Sequence, residues 1–160
     1  MKSLIILLLS ITTASGASVI EDFMHLAAYY NPEARIRAVD TSYSDISKDT
    51  LSDIAKEFKR LLSRASKRVN SDVFDCDDFA RVFKSVVALQ GLKDGKNYAC
   101  AVIGVKQAKP FGGVPSEGNA LHMLNLIIVE GVPMVLEPQT FKATSIFTYP
   151  NKKQILEVNF

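Results

Sequence analysis

Two segments of the chain repeat apolar residues at the three- and four-residue spacing of an amphipathic helix. The first begins near Thr50, and its apolar stripe comprises Leu51, Ile54, Ala55, Phe58, Leu61, Leu62, Ala65 and Val69. The second runs from Cys76 to about Gln90 and is followed by Gly91, a residue type that commonly ends helices. The pattern therefore predicts these two helices, and the spacing of Ile20, Phe23, Met24, Ala27 and Tyr30 predicts a short helix before them that ends ahead of Asn31 and Pro32.

The apolar pattern then changes to short runs rich in Val, Ile and Leu. These runs predict β-strands, and they lie at Tyr98–Val105, Leu121–Val129, Val132–Leu136, Ile146–Tyr149 and Ile155–Val158. Glu130 and Gly131 separate two of the runs and form a hairpin signal, whereas residues 31–48 show no clear period. Helices followed by an antiparallel sheet indicate an α+β domain.

The chain begins with the layout of a secretory signal peptide. Lys2 precedes an apolar run that ends at Ile11, and small residues follow as far as Ala17. The run is too short to cross a bilayer as a helix, and a buried N-terminal element is the alternative. We therefore expect residues 1–17 to be a signal peptide and residues 18–160 to be one secreted or periplasmic domain without a stable membrane anchor.

Composition and charge limit the classes of partner. The 19 Lys and Arg residues nearly balance the 17 Asp and Glu residues, which gives a net charge of +2. This balance shows neither the basic excess of a nucleic-acid-binding domain nor a polybasic membrane patch. We therefore expect no nucleic-acid partner.

Cys76 has the surroundings of a nucleophile. It lies at the predicted start of a helix, where unpaired N–H groups and the positive end of the helix dipole favour a thiolate. Asp75 and Asp77 flank it, and their negative charges oppose ionisation of the thiol unless a cation offsets them. Carboxylate oxygens suit Ca²⁺, although first-turn acids also occur at helix starts without any ion. The segment predicts a thiol site with a candidate calcium site beside it.

A cysteine nucleophile needs a base and a group that orients the base. Of the two histidines, His25 lies in a short N-terminal helical pattern, whereas His122 opens a strand directly after a loop rich in Gly and Pro. A hairpin that turns after Val129 folds Glu137 back beside His122. Hairpin geometry alone therefore predicts a hydrogen-bonded pair of His122 and Glu137.

The run Asp75-Cys76-Asp77-Asp78-Phe79-Ala80 resembles the Asp-Cys-Glu-Asp-Tyr-Ala element of bacterial transglutaminase-like cysteine peptidases. The chain also resembles the calcium-activated cysteine peptidase domain of fungal agglutinins, which has a Cys, His, Glu triad at comparable intervals. The likeness covers roughly residues 70–140. It implies a papain-like or transglutaminase-like α+β fold in which N-terminal helices pack on a C-terminal antiparallel sheet.

The resemblance also implies a function: a secreted or periplasmic, calcium-dependent cysteine peptidase that acts on a protein or peptide substrate. The site residues it assigns are Cys76 as nucleophile, His122 as base, Glu137 as the group that orients the base, and Asp75 and Asp77 as Ca²⁺ ligands. The bacterial family generally has Asp in place of Glu137, and the chain contains no Trp for a substrate wall. The backbone N–H of Cys76 and a side-chain donor, Asn70 or Gln139, would form the oxyanion hole.

Three alternatives stay open. A disulfide between Cys76 and Cys100 would make the chain a non-enzymatic, exported binding or inhibitory module. The same fold supports acyl transfer to an amine, as in transglutaminases. A pseudoenzyme that keeps the fold and binds calcium or a partner is the third.

Overall fold

The computed structural model describes residues 29–38, 40, 42–65, 74–115 and 121–160. In these ranges the chain forms one six-stranded sheet with the order β1-β6-β2-β3-β4-β5, two α-helices, α1 and α2, and a short 3₁₀ helix at Lys152–Gln154. The helices are α1 (Lys48–Ala65) and α2 (Cys76–Asp94), and the strands are β1 (Arg35–Arg37), β2 (Cys100–Lys106), β3 (Leu121–Val129), β4 (Val132–Glu137), β5 (Lys142–Ser145) and β6 (Ile155–Asn159).

The two helices follow from their apolar periodicity, but their ends differ from the predicted ones. Helix α1 is capped by Ser47, whose Oγ accepts a hydrogen bond from the backbone N–H of Thr50 at 3.1 Å. Helix α2 continues through Gly91 and ends at Gly95, which has a φ of 63°. Gly91 is required for another reason, because a Cβ there would collide with the carbonyl oxygen of Lys96.

The predicted β3–β4 hairpin is present and turns at Glu130 and Gly131. Val129 pairs with Val132, and the two turn residues have φ values of 49° and 78°. Positive φ at both central positions matches the twist of the flanking strands. The hairpin therefore places the end of β4 beside the start of β3.

Two apolar clusters lie on opposite faces of the sheet, because alternate residues of a strand point to opposite sides. One cluster joins Phe58 of α1 and Phe83 of α2 to Ile127 of β3. The other contains Leu126 of β3 and the turn residues Ile146 and Tyr149. Each face of the central strands is thus buried, which fixes their register.

The predicted papain-like α+β fold with an antiparallel C-terminal sheet is wrong, because the sheet is mixed. Strand β1 lies in the segment predicted to be irregular and pairs in parallel with β6, so that Ile36 lies opposite Val158. The predicted strand Ile146–Tyr149 is also wrong, since those residues form a turn and the strand that pairs with β4 at this edge of the sheet is β5. Strand β1 could not be predicted from the pattern, because its three residues, Arg35–Arg37, include only one apolar side chain and are too few to show an alternation.

Several predictions fall outside the described ranges. They concern the signal peptide at residues 1–17, the helical role of His25 and the oxyanion role of Asn70. Neither α1 nor α2, the helices of the described ranges, combines the length and apolar character needed to cross a membrane.

Candidate functional site

Helix α2 presents Cys76 as its first residue, half-buried at the helix N-terminus. Cys76 and Cys100 are both free thiols. Cys100 is 4% exposed, and its burial raises the pKa of the thiol to about 12. The alternative disulfide between Cys76 and Cys100 is therefore not formed, and Cys100 is a buried core residue.

His122 and Glu137 meet through the β3–β4 hairpin. The Nε2 atom of His122 lies 2.6 Å from Oε2 of Glu137. Glu137 is 0% exposed, and its second oxygen accepts a hydrogen bond from the backbone N–H of Gln139 at 3.0 Å. Both oxygens of the buried carboxylate therefore have a partner, which is the condition for keeping such a charge inside a protein.

The His122 imidazole also contacts the side chain of Cys76. Burial lowers the pKa of His122, but hydrogen bonds with Cys76 and Glu137 and the charges of both partners outweigh this effect and raise it to about 9. The ring is therefore protonated at neutral pH, between the sulfur and the carboxylate. The structure thus brings together Cys76, His122 and Glu137, which lie far apart in the sequence.

Asn125 links α2, which carries Cys76, to β3, which carries His122. It is fully buried on β3, and its Nδ2 donates to the carbonyl oxygens of Ala80 at 3.0 Å and Ala101 at 3.3 Å. Ala80 lies one turn after Cys76 on α2, and Asn125 lies three residues after His122 on β3. Asn125 therefore fixes the first turns of α2 against the strand that carries the imidazole.

Asp75, Asp77 and Asp78 form an acidic cluster at the start of α2, and their ligand atoms lie within 4.8 Å of one another. Asp75 and Asp78 form a capping box with the backbone, and Asp77 pairs with Arg81 at 2.7 Å. The side-chain hydrogen bond between Asp75 and Asp77 lowers the pKa of Asp75 and raises that of Asp77. The oxygens suit Ca²⁺ in type and spacing, but helix capping already uses two of the carboxylates.

Two contacts to Glu137 were not predicted from the sequence. One is the backbone N–H of Gln139, a residue proposed only as a side-chain donor for an oxyanion hole. The other is Gly112, which packs against the aliphatic part of Glu137. The only sequence signal for the second contact was a pair of glycines in the loop before His122.

Comparisons with known proteins give fold neighbours only. No protein-family model and no curated protein matches the sequence. Among solved structures, the lectin of Polyporus squamosus bound to the human-type influenza-binding epitope Neu5Acα2-6Galβ1-4GlcNAc matches with a TM-score of 0.62 and 20% identity, over 90% of this chain and 48% of the lectin chain. A structure described as the PSL1a-E64 complex matches with a TM-score of 0.62 and 22% identity, over 92% of this chain and 51% of that one.

These neighbours overturn the peptidase interpretation. The expected membership in the papain-like or transglutaminase-like cysteine peptidases is wrong, and so is the enzyme function drawn from it, because the solved structures that share the fold are described as a lectin and as a PSL1a-E64 complex, not as papain-like peptidases. The roles of Cys76, His122 and Glu137 in any chemistry stay predictions. At this level of identity the likeness concerns the fold, and the chain spans about half the length of the solved structures it matches. The chain is thus similar in fold to about half of the Polyporus squamosus lectin chain.

Proposed function

We propose that the chain is a non-enzymatic binding module whose ligand is a carbohydrate. The observation that carries this proposal is the fold shared over 90% of the chain with a lectin bound to a glycan that ends in Neu5Ac. Because the lectin chain is about twice as long, its sugar contacts are not transferred residue by residue. The binding surface is instead proposed from the side chains of this chain.

The proposed surface surrounds the start of α2, and we call it the α2 surface: Phe74, Cys76, Asp77, His122 and Gln139. Carboxylates and amides bind sugar hydroxyl groups, and an aromatic ring packs against the apolar face of a sugar. The half-buried Phe74 offers such a ring, and Asp77 and the exposed Gln139 offer polar groups. The surface therefore combines the two kinds of contact that a glycan requires.

His122 gives the α2 surface a preference for an acidic sugar. A pKa of about 9 keeps its imidazole cationic at neutral pH, and the N-terminus of α2 adds a partial positive charge. The hydrogen bonds of His122 are already made with Cys76 and Glu137, so a carboxylate such as that of Neu5Ac would be attracted by the charge of the ring and by the N–H groups at the N-terminus of α2. We therefore include Cys76, His122 and Glu137 in the binding site as one hydrogen-bonded charged unit.

We also propose that Asp75 and Asp77 bind Ca²⁺ beside this unit. The ion would replace the side-chain hydrogen bond with Asp75 that raises the pKa of Asp77, and it would offset the charges of the neighbouring carboxylates. Millimolar Ca²⁺ should raise the melting temperature, and Asp77→Asn should abolish the rise while Asp53→Asn, in an exposed pair with Lys56, keeps it. An equal melting temperature in Ca²⁺ and in EDTA would remove calcium from the proposal.

Calorimetric titration of the mature protein with two glycans tests the function. The probes are Neu5Acα2-6Galβ1-4GlcNAc and the disaccharide that lacks Neu5Ac. We expect the acidic glycan to bind at least about tenfold more tightly, which corresponds to about 1.4 kcal/mol. Gln139→Ala should weaken binding, whereas Val132→Ala, on the exposed β3–β4 turn, should not. Folded protein that binds neither glycan, with or without Ca²⁺, would overturn the proposal.

The proposal includes export of the protein, which rests on the pattern of residues 1–17. N-terminal sequencing of the protein from cells of its source should find a chain that begins near Ala17 or Ser18. A chain that keeps residues 1–17 would contradict export by a cleaved signal peptide.

A further inference from the structure

A tight turn lies over Glu137. The backbone N–H of Phe111 donates to the carbonyl oxygen of Val114 at 3.2 Å, and the N–H of Val114 donates back at 3.0 Å. The two central residues, Gly112 and Gly113, have φ values of 66° and 88°. Both lie in the left-handed region that favours glycine, so conformation alone accounts for a glycine at each position.

Space distinguishes the two glycines. A Cβ on Gly112 would lie 2.6 Å from Cβ and 2.7 Å from Cγ of Glu137. A Cβ on Gly113 would have its nearest neighbour in Cγ2 of Thr140, at an ordinary 3.8 Å. Because the Cβ of Glu137 is fixed to the backbone of β4, it does not rotate away from an added methyl group. Any side chain at position 112 must therefore displace the turn or the carboxylate.

Other contacts fasten the turn in this place. The hydroxyl of Thr140 donates to the carbonyl oxygen of Gly112 at 2.5 Å. Nε2 of the buried Gln107 donates to the carbonyl oxygens of Val114 at 3.2 Å and Pro115 at 3.1 Å. The ring of Phe111 meets that of Tyr149 edge to face, with centroids 5.0 Å apart. The turn is thus held on both sides of the point where it touches Glu137.

We propose that Gly112 is a positioning residue that seats the Glu137 carboxylate against His122 and closes it off from water. This inference rests on the proposed binding function only in that the two share the charged unit of Cys76, His122 and Glu137. The contact explains how an ionisable side chain at the end of β4 is fully buried next to a loop. The groups that face His122 are Cys76 from α2 and Glu137 from β4, and Tyr149 lies near Glu137.

The test compares Gly112→Ala with Gly113→Ala. Both substitutions place alanine at a positive φ, but only the first meets Glu137. The readout is the pKa of His122, followed by its ring proton signal in NMR pH titration of the glycan-free protein, with His25→Gln to assign the two histidine signals. We expect Gly112→Ala to lower this pKa by about one unit, a tenfold change in proton affinity, and Gly113→Ala to leave it unchanged.

An unchanged pKa in Gly112→Ala, or an equal fall in both variants, would overturn the inference. If Gly112→Ala does not fold, Thr140→Val decides, because it removes the hydroxyl that holds Gly112 without adding bulk. That variant should lower the pKa of His122 by a smaller amount, and a wild-type value would overturn the inference. A failed glycan titration leaves this result untouched, since no glycan is present in the NMR experiment.

Discussion

Glu137→Gln tests the charged unit with the smallest change of shape. The amide keeps the size of the side chain and still offers an oxygen to Nε2 of His122, which lies 2.6 Å from the carboxylate in the wild-type protein. The negative charge is lost, and the amide nitrogen that replaces the second oxygen cannot accept the hydrogen bond from the backbone N–H of Gln139. Because His122 is only 8% exposed, burial disfavours its protonated ring, and in this variant the charge of Glu137 no longer offsets that effect. The pKa of His122 should therefore fall.

The size of the effect follows from the pKa of His122. Its rise from the model-compound value of 6.5 to about 9 corresponds to about 3 kcal/mol. Cys76 contributes part of this rise, and solvent at the half-buried thiol screens the interactions, so we assign about 1–2 kcal/mol to Glu137. The pKa of His122 in Glu137→Gln should therefore fall by about one unit.

The raised pKa of His122 determines how the free energy of unfolding changes with pH. The stabilisation from a protonated His122 is fully present below about pH 6.5 and is lost as the pH rises through about 9. The difference in unfolding free energy between wild type and Glu137→Gln should accordingly be largest near pH 6 and smaller near pH 10. Urea denaturation at the two pH values measures it.

Glu130→Gln is the matched control, because it removes the same charge from an exposed pair with Lys48. It should leave the NMR titration of His122 unchanged. The reasoning is refuted if wild-type His122 titrates at or below 6.5, or if Glu137→Gln titrates as the wild type does.

The remaining predictions concern reactivity and stability. Iodoacetamide should label Cys76 in the native protein and spare the buried Cys100, and mass spectrometry that finds equal labelling would contradict this. Phe83→Ala should cost about 3–5 kcal/mol in urea unfolding because its ring is fully buried. Leu92→Ala, at 80% exposure, should cost less than about 0.5 kcal/mol, and similar losses in the two variants would be inconsistent with the described core. Asp75→Ala should lower the urea midpoint through loss of the α2 cap, and an unchanged midpoint would show that the cap does not stabilise the helix.

Local patterns in the sequence predicted the elements that are stabilised locally. The apolar stripe of α1, the start of α2 at Cys76 and the hairpin at Glu130 and Gly131 each depend on residues close together in the chain. The hairpin in turn predicted the pair of His122 and Glu137, because its turn alone determines which residues face each other.

Features that depend on distant segments were not predictable in the same way. Strand β1 forms only because β6, at the other end of the chain, offers it a parallel edge. In the sequence, Gly91 resembles the residue that ends a helix. The structure shows that it lies inside α2 and is required because a Cβ there would collide with the carbonyl oxygen of Lys96. The contact of Gly112 with Glu137 likewise joins two loops that no periodic pattern relates.

The functional prediction failed for a related reason. A motif of six residues around Cys76 describes the start of one helix, and a thiol beside a histidine and a glutamate does not determine what the molecule binds. The mixed sheet and its likeness to a lectin are properties of the whole described chain. Cys76 does lie beside His122 and Glu137, but the role of these residues stays a prediction, and the family assignment drawn from the motif is wrong.

NMR mapping of glycan binding tests the central claim most directly. Backbone amide signals are followed while Neu5Acα2-6Galβ1-4GlcNAc is added to the mature protein. The account predicts saturable shifts concentrated at Cys76, Asp77 and Gln139. Shifts confined to the opposite edge of the sheet at β1 and β6, or no shifts at saturating glycan, would contradict it.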